Sequence, residues 1–323
     1  MNASNKKLLP LLSLLLTSTA MAEAPASPAP GTVAPLTQAE RYARRCQKKA
    51  GQRDQKPQGP YLWGTRPSWD DSVPASDMRK SVLVSVDAPS LSKADVGVVL
   101  RGSSSEGSAV EVVVCDAEED PEDAQMVWYR VEAWNPVAQE WENPCLPTGR
   151  VTPPRALAIS GVWDASGTHR QEKGKLTLAC ENGVITKCIR WGYKPWASRN
   201  GQSLAPLHQA CTRMARADYC GNGTSHTREA TTIDMYDALG VQQLTTVAVT
   251  GWDPARASFE AAWAPDGAVC LARTRDGRAL ETIQQECPGR FVPGAAVEVG
   301  QGDRCTLQRK GVDPKAALLK NRG

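Results

Sequence analysis

The residues best able to do chemistry gather between His208 and Asp237. His208, Cys211, Asp218, Tyr219, Cys220 and His226 fall close together, and Asp234 follows. A hydrolase requires a nucleophile, a base and an acid that orients the base. His226 or His208 paired with Asp218 or Asp234 would supply base and acid, and Ser225 could supply the hydroxyl. No Gly-x-Ser-x-Gly elbow occurs in the chain to present that hydroxyl as a nucleophile. The set His208, Cys211, Cys220 and His226 carries ligand types that zinc accepts, but without the paired spacings of structural zinc sites. A third chemistry is non-covalent: Trp191, Tyr193, Trp196 and Tyr219 are amphipathic aromatics beside polar groups, the combination from which binding pockets are made. Binding of a carbohydrate or a surface protein is therefore expected ahead of hydrolysis or zinc binding. No cofactor motif is present, and no cofactor is expected.

These residues must be placed by the segments around them. Asn182-Gly183 is the strongest two-residue hairpin signal and predicts a β-hairpin over residues 175–191. Leu176, Leu178, Cys180, Ile185, Ile189 and Trp191 then share one face, and Thr177, Thr186, Cys188 and Arg190 share the other. In that register Cys180 and Cys188 point apart and cannot bond to each other. A helix over residues 203–219 puts Leu204, Leu207, Cys211 and Met214 on one stripe, with Gly221 to end it. Cys211 and Cys220 would lie ~13 Å apart along that helix, too far for a disulfide. Hairpin and helix are thus predicted to be cross-linked, Cys180 or Cys188 to Cys211 or Cys220. Cys270 and Cys287 are read as a further bridge.

Elsewhere, Thr37 and Glu40 form a capping box for a helix that Gly51 would close. Residues 82–86, 96–100 and 109–114 read as strands, and the acidic run 116–123 as a solvated loop. Residues 126–134 and 139–141 pair around Asn135-Pro136, and 157–163 is a further strand. Strands at 244–250, 258–263 and 268–274 follow, the last two joined by Pro265-Asp266-Gly267. The apolar residues 316–319 are expected to dock. The fold class is α+β, mainly antiparallel β, with a disulfide-fastened helix following a β-hairpin.

The amino terminus reads Lys6-Lys7, an apolar core and Ala20-Met21-Ala22, which predicts a signal peptide over residues 1–22. Residues 23–35 are an Ala/Pro-rich spacer, 36–124 a helix plus a β-rich region, and 125–323 a second domain. Export puts Cys46, Cys115, Cys145, Cys180, Cys188, Cys211, Cys220, Cys270, Cys287 and Cys305 in an oxidising compartment, periplasmic or external, where an even set is expected to pair. The formal charge is +3, and loss of Lys6 and Lys7 leaves +1. That balance argues against nucleic acid as a partner. No apolar run reaches the ~20 residues of a transmembrane helix.

Residues 177–196 (TLACENGVITKCIRWGYKPW) and 204–227 (LAPLHQACTRMARADYCGNGTSHT) resemble the ADYC domain family of secreted bacterial proteins. The resemblance continues through Ile233-Asp-Met-Tyr-Asp237 and Phe259-Glu-Ala-Ala-Trp263, covering roughly residue 126 onward. It implies an exported, cysteine-rich globular domain and brings no catalytic residues to carry over. Many relatives look like lipoproteins, whereas this chain has no cysteine near the cleavage site.

Overall fold

A computed structural model describes residues 35–47, 84–145, 153–227 and 231–323. The predicted signal peptide and nearly all of the spacer lie outside the described residues. The first half of the fold is built from β1 (Val84–Asp87), β2 (Val99–Ser104), β3 (Ala109–Glu119), β4 (Val127–Asn135), β5 (Glu140–Glu142) and β6 (Ala156–Ser160). A two-strand ribbon of β7 (Val162–Trp163) and β8 (His169–Arg170) leads to β9 (Lys175–Cys180). The main strands are ordered β3-β2-β1-β9-β6-β4, every pairing antiparallel, and β3 also pairs with β4, which closes six strands into a barrel. β5 adds to the outer part of β4.

Side-chain alternation follows from the strand period of two. On β9, Leu176, Leu178 and Cys180 join Val84, Val86, Val112, Val114, Tyr129 and Val131 in one buried cluster. Ala179 faces the opposite way, into a second cluster with Trp128, Leu157, Ile159 and Trp163. Helix α1 (Gln38–Ala43) has the expected capping box and is capped at Arg44; Gly51, the expected stop, lies outside the described residues. Trp141 donates its indole N–H to the Arg41 carbonyl at 2.8 Å, and Cys46–Cys115 fastens the segment to β3.

Three departures from expectation have clear causes. Residues 184–190 are not the second arm of a hairpin but helix α2 (Val184–Arg190). Gly183 takes φ −77° and ψ 159° and stands as the helix N-cap, without the positive φ that a type I′ hairpin turn requires. Val184, Ile185 and Ile189 are instead buried on the wall of the barrel, so tertiary burial outweighs the β-branched composition. The acidic run is not all loop either. β3 extends through Glu119, and the buried Asp120 accepts the Trp128 indole N–H at 2.7 Å. Residues 244–250 form no strand and contribute only an isolated bridge between Val249 and Trp252.

After α2 come a small ribbon of β10 (Ser198–Arg199) and β11 (Gln202–Ser203), helix α3 (Ala205–Arg216), and β12 (Asp234–Asp237). β13 (Phe259–Ala264) and β14 (Gly267–Leu271) precede helix α4 (Leu280–Glu286), and β15 (Phe291–Gly300), β16 (Asp303–Arg309) and β17 (Leu319–Arg322) complete the chain's elements. The six strands form a second antiparallel sheet ordered β12-β17-β13-β14-β16-β15. The apolar segment that ends at Leu319 does dock, leading into a central strand between β12 and β13.

Helix α3 packs on one face of this sheet, where Leu207, Cys211 and Met214 meet Ala261, Trp263, Leu271 and Leu319. Ala262, Cys270 and Cys305 occupy the other face. This alternation corrects the expected Cys270–Cys287 bridge. Cys287 belongs to the helix-side cluster and bonds Cys220, while Cys270 bonds Cys305 on the far face. Of the predicted cross-links the one that forms is Cys188–Cys211, tying α2 to α3; Cys180 bonds Cys145 within the barrel. Five disulfides are the mark of an oxidising, non-cytoplasmic environment. Among the described residues no helix is long and apolar enough to cross a membrane.

Candidate functional site

The segment Trp191-Gly192-Tyr193 is the C-terminal cap of α2. Gly192 has φ +93°, its N–H bonds the Ile189 carbonyl at 2.9 Å, and the Tyr193 N–H bonds the Cys188 carbonyl at 3.0 Å. These two bonds define a Schellman motif, which favours glycine at the left-handed position. The turn sends the two aromatics to different environments. Tyr193 is fully buried and donates its hydroxyl to Asp237 at 3.0 Å. Burial, reinforced by the Asp237 carboxylate, pushes the Tyr193 hydroxyl far above its ordinary range. Trp191 remains half-buried and lines an open cleft of about 430 Å³.

The cleft is bordered by α2, the β10–β11 ribbon and the turn after β12, with Arg190, Lys194, Arg199 and Gln242 among its lining residues. Gln242 donates to the Trp191 carbonyl at 2.7 Å and so fixes the rim. Arg190 is tied to Glu181 at 2.8 Å and lies over the Trp128 ring at 4.9 Å. Lys194 is paired with Asp123 and donates to Gln125 at 3.2 Å. The Arg199 side chain is exposed and makes no hydrogen bond or ion pair with a described residue. Trp196 is 48% exposed but does not line this cleft.

The Ala217-Asp218-Tyr219-Cys220 run performs four structural tasks. Ala217 ends α3 in the left-handed conformation, φ 51° and ψ 42°, with its N–H on Met214 and Arg213 carbonyls. Asp218 forms a buried ion pair with Arg213 at 2.6 Å, and its oxygens accept the N–H groups of Asn222 and Gly223 at 3.2 and 2.9 Å. Tyr219 is stacked on Trp263 at 5.4 Å, and its hydroxyl reaches Glu260 at 3.2 Å and the Arg275 N–H at 2.8 Å. Burial, with the Glu260 charge beside it, raises the Tyr219 hydroxyl well above its usual value. Cys220 bonds Cys287 and ties the turn to the end of α4.

The predicted binding set therefore divides. Trp191 and Trp196 are accessible, whereas Tyr193 and Tyr219 are core residues with no exposed surface to offer a ligand. The zinc set is not assembled, because Cys211 and Cys220 are spent in disulfides with Cys188 and Cys287. A thiol-and-carboxylate cluster among the described residues, Cys46, Cys115 and Glu132, contains the Cys46–Cys115 disulfide and offers no thiolate.

His226 lies beside Tyr219, ring centroids 5.4 Å apart, and lines a pocket of about 260 Å³ with Asn222, Ser225, Arg278 and Glu286. Its acid partner is neither Asp218 nor Asp234. Nε2 faces Glu286 at 2.6 Å and Nδ1 faces the Ala217 carbonyl at 3.0 Å. Asp234 instead caps Thr245, accepting its N–H and hydroxyl at 2.9 and 2.7 Å. A catalytic base needs one ring nitrogen turned toward its nucleophile. Here both nitrogens face acceptors, and the Ser225 hydroxyl donates to the Arg216 carbonyl at 3.0 Å. His208 is 1% exposed, with Nε2 on the Ile185 carbonyl at 3.1 Å, and takes no part in this pocket. Glu286 escaped sequence reasoning because it lies sixty residues from His226, on a helix with no spacing signal toward it.

The barrel, the second sheet and the helix pair clamped by Cys188–Cys211 define a disulfide-stabilised β-rich globular protein with a capped helix turn presenting a cationic cleft. The ADYC domain matches residues 93–277, more than half the chain, and the protein belongs to that family. The match starts within the barrel and spans both helices of the clamp. No curated protein and no solved structure matches.

Proposed function

We propose that this chain is an exported, non-catalytic binding module of the periplasm or cell exterior that holds a saccharide in the cleft beside Trp191. The observation that carries this reading is the cleft itself. Its volume of about 430 Å³ falls in the range of small-molecule sites, and one aromatic with several polar groups fixes orientation in such sites. The indole of Trp191 stands on a rigid helix cap, which limits the entropy lost when a ligand is ordered against it. Engagement of both His226 nitrogens and of the Ser225 hydroxyl favours binding over hydrolysis.

Titration calorimetry of the folded protein against neutral and charged oligosaccharides tests the assignment. Trp191→Ala is expected to weaken binding about tenfold or more, on the scale of losing one aromatic anchor. Unchanged affinity in a variant with an unchanged melting temperature refutes this location for the site.

A further inference from the structure

We infer that the saccharide in the Trp191 cleft is anionic and that Arg199 reads its acid group. This rests on the preceding assignment of the cleft as the binding site. The lining contains Arg190, Lys194 and Arg199 but not a single Asp or Glu, in a chain whose charged residues are nearly balanced, 38 basic to 35 acidic. A concavity lined by cations and by no carboxylate attracts and orients anions through whichever of those cations is not already paired.

The three cations are not equivalent. Arg190 is held by Glu181 and Asp120 and stacked on Trp128. Lys194 is neutralised by Asp123. Both are structural ion pairs directed back into the barrel side of the cleft, and a ligand would have to displace a carboxylate to engage either one. Arg199 has no such partner among the described residues. It projects from the β10–β11 ribbon, whose tight turn is set by Asn200 at φ 51° and Gly201 at φ 77°. The ribbon is closed at its base, where the Leu204 N–H bonds the Ala197 carbonyl at 2.9 Å.

A guanidinium on a short ribbon at the edge of the cleft presents a planar fork of donors that fits a carboxylate or sulfate through two parallel hydrogen bonds. The indole N–H of Trp191 likewise meets no acceptor among the described residues. The cleft thus offers an apolar ring, one indole donor and one unpaired guanidinium, which match a sugar ring bearing a single acid group. A uronic acid or a sulfated sugar both satisfy that description.

The test measures dissociation constants for trigalacturonate, its fully methyl-esterified form, and a sulfated trisaccharide of the same length. Wild type is expected to bind at least one acidic probe about tenfold more tightly than the ester, the scale of one charge-assisted pair. Whichever acid wins distinguishes carboxylate from sulfate. Arg199→Ala should abolish the preference and leave binding of the ester intact, and Arg199→Lys should restore only part of it. Arg256→Ala, at an exposed arginine outside the cleft, is the control for general electrostatics and should leave the preference unchanged. Equal affinity for ester and acids, or a preference that survives Arg199→Ala, overturns the role of Arg199 and leaves the Trp191 site standing. Binding of none of the probes overturns both.

Discussion

Acid should destabilise this protein through His208. The ring lies in the contact of α3 with α2 and the β7–β8 ribbon, edge-on to Trp163 at 5.9 Å and bonded to the Ile185 carbonyl. Burial pushes its pKa down from the ordinary 6.5 to about 4; the Ile185 carbonyl opposes this and the nearby His169 adds to it. Because the folded value lies below the unfolded one, the unfolded chain binds the proton more readily between those limits. Stability from the neutral ring is therefore complete above about pH 6.5 and is lost as pH falls toward 4.

At 1.36 kcal/mol per tenfold difference in proton affinity, that loss reaches about 2 kcal/mol at pH 5 and about 3 kcal/mol at pH 4. The assay is urea unfolding of the wild type and of His208→Gln across this range. Glutamine retains an N–H for Ile185 but does not titrate, so the difference between the two proteins isolates the imidazole from every carboxylate that also responds to acid. The wild type should lose its advantage by the stated amounts. Parallel stability curves from neutral pH to pH 4 would refute the argument that a buried neutral imidazole controls this window.

Two further substitutions probe the capping turn and the buried network. Gly192→Ala forces a side chain into a φ of +93° and sets its Cβ 3.0 Å from Val241, so unfolding should become easier by ~1–2 kcal/mol, read from the denaturation midpoint. Arg275→Ala strips the bidentate partner from Glu260, whose side chain is 0% exposed and whose remaining partners are the Tyr219 hydroxyl and the Asn321 amide. A loss of ~3–5 kcal/mol is expected in thermal or urea unfolding, and replacement of Glu260 and Arg275 together by apolar residues should recover part of it.

Strands whose pattern matched their surroundings were legible in the sequence. The β4–β5 pair turns at Asn135-Pro136 as expected, β13 and β14 meet at Pro265-Asp266-Gly267, and α3 carries the predicted Leu207, Cys211 and Met214 stripe. Helix α2 was hidden because Asn182-Gly183 and a β-branched run both pointed to a hairpin. The contrary signal was the pair of glycines, Gly183 at the start and Gly192 at the end, which bracket a two-turn helix. The candidate site was legible as a neighbourhood but not as roles. Arg199 carried no signal in the sequence, because its ribbon is too short to show periodicity, and nothing local marked Tyr193 and Tyr219 as core. Their hydroxyls are met by Asp237, Glu260 and Arg275, which arrive from segments distant in the chain.

The position of β17 has a consequence for the order in which the molecule can assemble. The barrel draws its strands from one contiguous stretch, residues 84–180, and can close once that stretch is available. The second sheet is interrupted until Leu319–Arg322 slides between β12 and β13, bringing Asn321 to Trp263 across 58 residues of sequence and to Glu260 across 61. Non-local pairings of this kind form slowly. The two halves are joined by α2, which leaves the barrel and is tied to α3 by Cys188–Cys211. Every barrel strand has thus been supplied by Cys180, whereas the second sheet is joined up only by the last strand of the chain.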